Sequence, residues 1–224
     1  MKRSFYILVL SLATLGLFAF QVFRSVDTDS LQVKKAVITD SNFHNGDLIF
    51  QSSNSGQSAA VQLATHSIYT HCGILFQENG KWMVYEAVQP VRKVPVEEWT
   101  AAGQNGFYIV RRLKNADSLL SENKITAMKA AAAKRLGRDY DIYFSWDEER
   151  LYCSELVWKV YQDGAGIEVG TRKKMRDYDL TSPVVKKIMK QRYGNKPPLD
   201  EFMISPQDVF ESDKLVTTVE HGSL

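Results

Sequence analysis

The stretch HCGILFQENGKWMVYEAV, residues 71–88, consists of two apolar runs joined by a short polar turn. Runs rich in β-branched and aromatic residues predict strands. The Asn79-Gly80 pair between them is the strongest short hairpin signal, because both central residues of a type I′ turn need positive φ. The sequence therefore predicts an antiparallel hairpin in which Glu78 pairs with Lys81.

Two polar side chains of this hairpin fall on the same face. In the predicted register Gly73 lies opposite Glu86 and is expected to leave the space there open. His71 and Glu86 are then diagonal neighbours whose side chains can meet. A carboxylate that contacts an imidazole fixes its tautomer and stabilises its protonated form, as in a nucleophile–base–orienter triad. Ordinary cross-strand pairing explains the two residues as well, and a slip of one residue would turn His71 to the other face.

Outward from the hairpin, the same patterns predict the rest of a small domain. Strands are predicted at 46–51 (GDLIFQ) and 107–113 (FYIVRRL). Helices are predicted at 121–136, which has an alanine-rich centre, and at 153–162, whose apolar residues form one stripe. These elements predict a small, mainly antiparallel sheet accompanied by helices.

The second predicted helix opens with a cysteine. Cys153 stands where unpaired backbone N–H groups and the positive end of the helix dipole stabilise a thiolate. The same donors can hold the oxyanion of an acyl-transfer intermediate. Tyr152 and Ser154, its neighbours in sequence, are candidate substrate-lining residues by position alone. A buried structural cysteine is the alternative, and a base beside Cys153 would decide for a nucleophile.

The other cysteine, Cys72, follows His71 in a strand and is predicted to point to the opposite face, into the core and away from the site. An exported chain with two cysteines also allows a disulfide between Cys72 and Cys153. We find no further cluster of His, Cys or carboxylate residues at metal-ligand spacing, and we therefore predict neither a metal nor another cofactor.

The amino terminus predicts export. Lys2 and Arg3 precede the apolar run at 5–20, which is typical of a signal peptide or an N-terminal membrane anchor. No clear small-x-small cleavage site follows, and the run is at the short end of what spans a bilayer. Both alternatives place the remaining chain in the periplasm or on the extracellular face, and a retained anchor would add membrane association through residues 5–23.

Composition limits the remaining classes of protein. The chain has 224 residues, of which 44% are hydrophobic and 24% charged, as in an ordinary packed domain. A formal net charge of +2 is too small for a dedicated nucleic-acid binder. The expected organisation is a signal peptide or anchor at 1–24, a tether at 25–43, a hydrolase domain at 44–216 and a tail at 217–224.

Three segments carry a family resemblance: THCGILF at 70–76, VYEAVQPV at 84–91 and YCSELVWKVY at 152–161. Together with the order His71, Glu86, Cys153, they resemble the YiiX/YaeF group of permuted papain-like cysteine amidases, relatives of the NlpC cell-wall peptidases. In the unpermuted relatives the cysteine helix precedes the sheet, whereas here the sheet comes first.

The resemblance, which covers about residues 44–212, implies an α+β, circularly permuted papain-like (NlpC-type) fold. In it a small antiparallel barrel-like sheet packs against a cysteine-bearing helix. It also implies roles for three residues, with Cys153 as the nucleophile, His71 as the general base and Glu86 as the residue that orients His71.

These observations predict an exported cysteine hydrolase that cleaves an amide bond through a thioester intermediate. A peptidoglycan stem peptide, or a related peptide or amide, is the expected substrate, and no nucleic-acid partner is expected. Two alternatives stay open. The same triad could act on acyl lipids as a hydrolase or acyltransferase, which an apolar groove beside Cys153 would favour. The chain could also be a noncatalytic ligand-binding module.

Overall fold

The computed structural model describes residues 42–224. The strands are β1 Leu48–Gln51, β2 His71–Glu78, β3 Lys81–Glu86, β4 Arg92–Pro95, β5 Tyr108–Leu113, β6 Asp139–Tyr140, β7 Arg150–Leu151, β8 Lys173–Lys174, β9 Phe202–Met203 and β10 Leu215–His221. The helices are α1 Ser58–Thr65, α2 Val96–Ala101, α3 Ala116–Leu119, α4 Glu122–Ala133, α5 Cys153–Ala165, α6 Pro183–Tyr193 and α7 Pro206–Phe210, with 3₁₀ turns at Gln104–Gly106 and Met175–Asp177. The predicted signal or anchor at 1–24, and the tether up to residue 41, lie outside the described residues.

One antiparallel sheet organises this part of the chain. Its strand order is β10-β5-β1-β2-β3-β4, and every neighbouring pair is antiparallel. The mixed α+β class with an antiparallel sheet and helices is therefore confirmed. Barrel-like packing stays a prediction, because β10 and β4 stand at the two ends of the strand order.

The carboxyl-terminal strand corrects one boundary. Residues 217–221, expected to belong to a tail, form most of β10 and pair with β5 along the edge of the sheet. The pairing joins segments about one hundred residues apart. Local sequence patterns do not reveal such a partner, which is why the stretch looked like a tail.

The register of the central hairpin is confirmed. The ladder runs from Glu78 opposite Lys81 to Ile74 opposite Tyr85, and Asn79 has the positive φ of 49° that the type I′ turn needs. The role expected for Gly73 was wrong, however. A Cβ at this position would lie 2.4 Å from Cγ1 of Val84, so the glycine permits close packing of the strands and does not leave open space.

The sheet has two apolar faces because side chains alternate along each strand. One face, with Phe50, Ile74 and Phe76, packs against α4 and α5. The opposite face includes Leu75 and is covered in part by Trp99 from α2. The helix that begins with the cysteine is thereby fixed on one defined face of the sheet.

Helices α4 and α5 approach each other closely at a glycine. A Cβ at Gly164 would lie 2.4 Å from the Cα of Met128, so this contact requires a residue without a side chain. Helix α5 then ends at Gly166, which has the left-handed φ of 71° typical of a C-terminal glycine. Among the helices in residues 42–224, none is both long and apolar enough to cross a membrane.

Candidate active site

His71 and Glu86 meet at the end of the hairpin. Nε2 of His71 lies 2.6 Å from Oε2 of Glu86, and the carboxylate is only 3% exposed. The second carboxylate oxygen accepts a hydrogen bond from Nε of Arg92 at 2.9 Å. The ring of His71 also stacks on Trp99, with 5.6 Å between centroids. Glu86 therefore binds one nitrogen of the imidazole and Trp99 packs against one face of the ring. Nδ1 remains for another partner.

Cys153 lies next to that imidazole. It is the first residue of α5, is 5% exposed, and its side chain hydrogen-bonds with His71. The first turn of a helix has backbone N–H groups without partners in the helix, and these donors favour negative charge on the sulfur. The structure thus brings together the three residues that the sequence singled out, with His71 between Glu86 and Cys153.

Cys72 lies on the face of the sheet that the strand alternation predicted, but the same core cluster also contains Cys153. It is fully buried in the same core cluster as Ile74, as expected for its face of the sheet. Yet α5 packs on that same face, and the thiol of Cys72 hydrogen-bonds with Cys153. The expectation that Cys72 points away from Cys153 was therefore wrong. Both cysteines are free thiols in the structure.

The contacts favour an ion pair between Cys153 and His71. Burial disfavours the charged imidazole, but hydrogen bonds with Cys153 and Glu86 outweigh it and raise the pKa of His71 to about 10. A hydrogen bond from Cys72, together with the bond and charge of His71, holds the pKa of Cys153 well below that of a free thiol. Burial and the neighbouring Cys153 raise the pKa of Cys72, so Cys72 stays protonated and donates.

Two clefts open on this centre. A cavity of about 780 Å³, including its mouth, has Cys153 in its wall and lies between α1 and α6. A second cleft of about 990 Å³ has His71 and Glu86 in its wall. Gln57, Thr70 and Tyr140 border both clefts. The reacting pair therefore stands where the two clefts meet.

Tyr152 and Ser154, the two predicted substrate-lining residues, both lie in the wall of the first cavity. The hydroxyl groups of both residues hydrogen-bond to the backbone of the protein. Oη of Tyr152 accepts a hydrogen bond from N of Ile204 at 3.1 Å, and Oγ of Ser154 donates to O of the same residue at 2.8 Å. The two side chains thus fix the segment around Ile204 beside the nucleophile, and contact with substrate stays a prediction.

Tyr140 was not found by sequence reasoning. Its hydroxyl accepts a hydrogen bond from Nε2 of Gln57 at 3.0 Å, at the boundary of the two clefts. Burial raises the pKa of Tyr140, and the nearby Cys153 raises it further, so the hydroxyl stays protonated. Only its position, thirteen residues before Cys153 in the GRDYD segment, was visible in the sequence.

An antiparallel sheet that carries a histidine and a carboxylate, followed in the chain by a helix that opens with a cysteine, defines the permuted papain-like class. The match to the family model of permuted papain-like amidase enzymes, YaeF/YiiX, C92 family, covers residues 42–219. The chain belongs to that family.

Two relatives agree with this assignment. The chain is 47% identical over 180 residues to uncharacterized protein YiiX of Escherichia coli (strain K12), covering 80% of this chain and 87% of the relative. It also resembles the crystal structure of metalloprotein YiiX from Escherichia coli O157:H7, with a TM-score of 0.77 and 44% identity, over 80% of this chain and 98% of that one.

The second relative is described as a metalloprotein, so we tested whether this chain offers a comparable donor set. Within residues 42–224, no group of three or more His, Cys, Asp or Glu side chains is arranged to hold a metal ion. His71 and Glu86 instead hydrogen-bond to each other, and the side chain of Cys153 hydrogen-bonds with His71 and Cys72. The described residues do not fit a metal centre at this position.

Proposed function

We propose that this protein is an exported cysteine hydrolase that cleaves an amide bond with Cys153 as nucleophile, His71 as general base and acid, and Glu86 as the positioning residue. The observation that carries the proposal is the placement of His71, which hydrogen-bonds with Glu86 on one side and with Cys153 on the other. Burial of all three side chains strengthens these interactions relative to water.

The reaction follows from the proton held between Cys153 and His71. The thiolate attacks the carbonyl carbon and forms a C–S bond, while backbone N–H groups at the start of α5 stabilise the oxyanion. The C–N bond then breaks as His71 gives its proton to the leaving nitrogen. Water, activated by the neutral imidazole, attacks the thioester, which releases a carboxylic acid and restores the thiolate with a protonated His71.

Export and substrate remain part of the proposal. Residues 1–24 would direct the chain to the periplasm or the extracellular face, where a peptidoglycan stem peptide or a related amide is available. Such a peptide presents polar groups on both sides of the scissile bond. An acyl lipid, the second candidate, presents an alkyl chain on the carbonyl side, and the apolar wall of the cavity beside Cys153 favours it.

Thiol alkylation tests the proposed nucleophile without a known substrate. The full chain is treated with iodoacetamide across pH, with and without reductant, and the modified cysteine is mapped by mass spectrometry. We expect Cys153 to react below the pH of an ordinary thiol while Cys72 stays protected. The His71→Ala variant should shift the profile of Cys153 to higher pH, because the ion pair is lost.

Two results would count against the proposal. Equal reactivity of both cysteines at ordinary thiol pH would show that Cys153 is not activated, and would favour a noncatalytic ligand-binding module. Reactivity that appears only after reduction would show that a Cys72–Cys153 disulfide occupies the site. Once a substrate is identified, turnover by a folded Cys153→Ala variant would contradict the mechanism directly.

A further inference from the structure

Helix α6 has two faces of different chemistry. One face lines the cavity beside Cys153 through the apolar positions Val185, Ile188 and Met189. The other face carries three exposed lysines: Lys186, Lys187 and Lys190. At 3.6 residues per turn, the centre of the lysine face lies about 150° around the helix from the centre of the apolar face. The three lysines therefore point away from the cavity and into solvent.

The positive charge on this face is not balanced by carboxylates. The segment 180–199 has five Lys and Arg residues and no Asp or Glu, although the whole chain has a net charge of only +2. Within residues 42–224 none of the three α6 lysines forms an ion pair, whereas all three basic side chains at 173–176 pair with aspartates. The helix dipole accounts for Lys190 in the last turn, but not for Lys186 and Lys187 in the first half. Because like charges on adjacent turns repel, an anionic partner would stabilise this face.

The lysine face continues into exposed apolar side chains. Lys186, Lys190 and Tyr193 have the i, i+4, i+7 spacing of a single helix stripe. The ring of Tyr193 lies 6.0 Å from the ring of Tyr143, measured between centroids, and its hydroxyl donates to the backbone oxygen of Tyr143. Tyr143 is 37% exposed and its neighbour Ile142 is 45% exposed. Cationic and apolar groups therefore form one continuous surface at the carboxyl-terminal end of α6.

A surface that combines lysines with exposed apolar side chains matches the interface of a lipid bilayer. Each lysine close to an anionic bilayer strengthens binding about fivefold. Aromatic and aliphatic side chains enter the boundary between headgroups and hydrocarbon. A soluble polyanion would use the lysines alone and leave Ile142 and Tyr143 in water.

We propose that the α6 surface, made of Lys186, Lys187, Lys190, Ile142 and Tyr143, docks this protein on a bilayer that contains anionic phospholipid. The lysines would pair with the phosphates of the headgroups, while Ile142 and Tyr143 would leave water. The inference concerns where the protein is held and does not depend on the chemistry at Cys153.

Amine labelling at single lysines tests the docking. The full chain is mixed with phosphatidylcholine vesicles, with or without about one-third phosphatidylglycerol, pulsed with acetic anhydride and mapped by mass spectrometry. Any insertion of residues 5–23 occurs with both kinds of vesicle and cancels in the comparison. We expect the three α6 lysines to react at least about fivefold more slowly on the anionic vesicles at low salt, and high salt to remove the difference. Exposed lysines of other elements should react alike on both kinds of vesicle: Lys81, Lys114 and Lys134.

A substitution of Ile142 separates a bilayer from a soluble polyanion. Ile142→Ser removes an exposed aliphatic side chain from the α6 surface, and Leu119→Ser removes one of similar exposure from α3. We expect Ile142→Ser to raise the concentration of anionic vesicles needed for half-protection at least about fivefold, and Leu119→Ser to leave it unchanged. Dextran sulfate, a soluble polyanion, should protect the lysines to the same extent in the unmodified chain and in both variants.

Three outcomes would overturn the inference. Equal labelling of the α6 lysines on both kinds of vesicle would exclude the docking, and the unmodified chain decides this point even if a variant does not fold. Protection by anionic vesicles that Ile142→Ser leaves unchanged would assign the surface to a soluble polyanion. Protection that rises with protein concentration without vesicles would assign it to a second copy of the chain.

The docking and the proposed function are tested by different measurements. Alkylation of Cys153 in the absence of vesicles should be the same in Ile142→Ser as in the unmodified chain. An unreactive Cys153 would count against the proposed function alone, and equal lysine labelling would count against the docking alone.

Discussion

Replacing Glu86 with glutamine removes the charge that stabilises protonated His71 and nearly preserves the shape of the side chain. The bond to be weakened joins Oε2 of Glu86 and Nε2 of His71 at 2.6 Å in a buried environment. A hydrogen bond to a charged group contributes about 1.5–3 kcal/mol, and 1.36 kcal/mol corresponds to one pKa unit. We therefore expect Glu86→Gln to lower the pKa of His71 from about 10 by roughly one to two units.

NMR titration of the imidazole nitrogens measures this pKa directly, and it is practical because the chain has four histidines. Glu98→Gln is the matched control. Glu98 pairs at 3.8 Å with Arg92, the same arginine that donates to Glu86, so both variants remove one carboxylate from Arg92. The control should leave the pKa of His71 unchanged. An unchanged pKa in Glu86→Gln, or equal shifts in the two variants, would refute the reasoning.

The same change should affect activity. If protonated His71 donates to the leaving nitrogen, losing 1.5–3 kcal/mol of its stabilisation lowers kcat/KM by about 10- to 150-fold. The alkaline limb of the pH profile should move to lower pH with the pKa of His71. A loss of activity with an unmoved alkaline limb would mean that Glu86 supports the fold of the site and does not tune its base.

Two further predictions concern stability, and thermal unfolding measures both. Gly164→Ala should destabilise the chain by about 1–3 kcal/mol despite the better helix propensity of alanine, because its Cβ meets the backbone of Met128; Gly56→Ala, which meets nothing, should be neutral, and equal effects would contradict the packing. Burial raises the pKa of Glu155 to about 8 despite its pairing with Lys159. Between pH 4.5 and 8 the folded state therefore retains a proton that the unfolded chain releases. The free energy of unfolding is expected to fall as pH rises through this range. Glu155→Gln should flatten this fall, and parallel curves for both proteins would count against it.

The free thiol of Cys72 gives the site a second sulfur that its sequence position did not suggest. Cys72 donates to Cys153 from the strand that also carries His71. The low pKa of Cys153 therefore depends on two donors from adjacent residues of β2, although their side chains leave the strand on opposite faces. Cys153 and His71 are the first residues of α5 and β2, so the start of the helix meets the start of the strand.

Local sequence signals determined the parts of this protein that depend on neighbouring residues. Asn79-Gly80 set the turn, and with it the register that makes His71 and Glu86 diagonal neighbours. The apolar stripe after Tyr152 predicted a helix that begins at Cys153. These features follow from backbone preferences and from side-chain periods of two and about 3.6 residues, which a sequence displays directly.

Only the tertiary structure decided what distant segments build together. The contact of Cys72 with Cys153 depends on which face of the sheet α5 covers, and the cavity beside Cys153 depends on the packing of α6 against α1. The pairing of β10 with β5 is of the same kind. Each of these three contacts joins residues that are eighty or more positions apart in the chain. Hydrophobic burial drives such contacts but is non-directional, so it does not specify which segments pair. The choice of partner therefore comes from the packing of the whole domain.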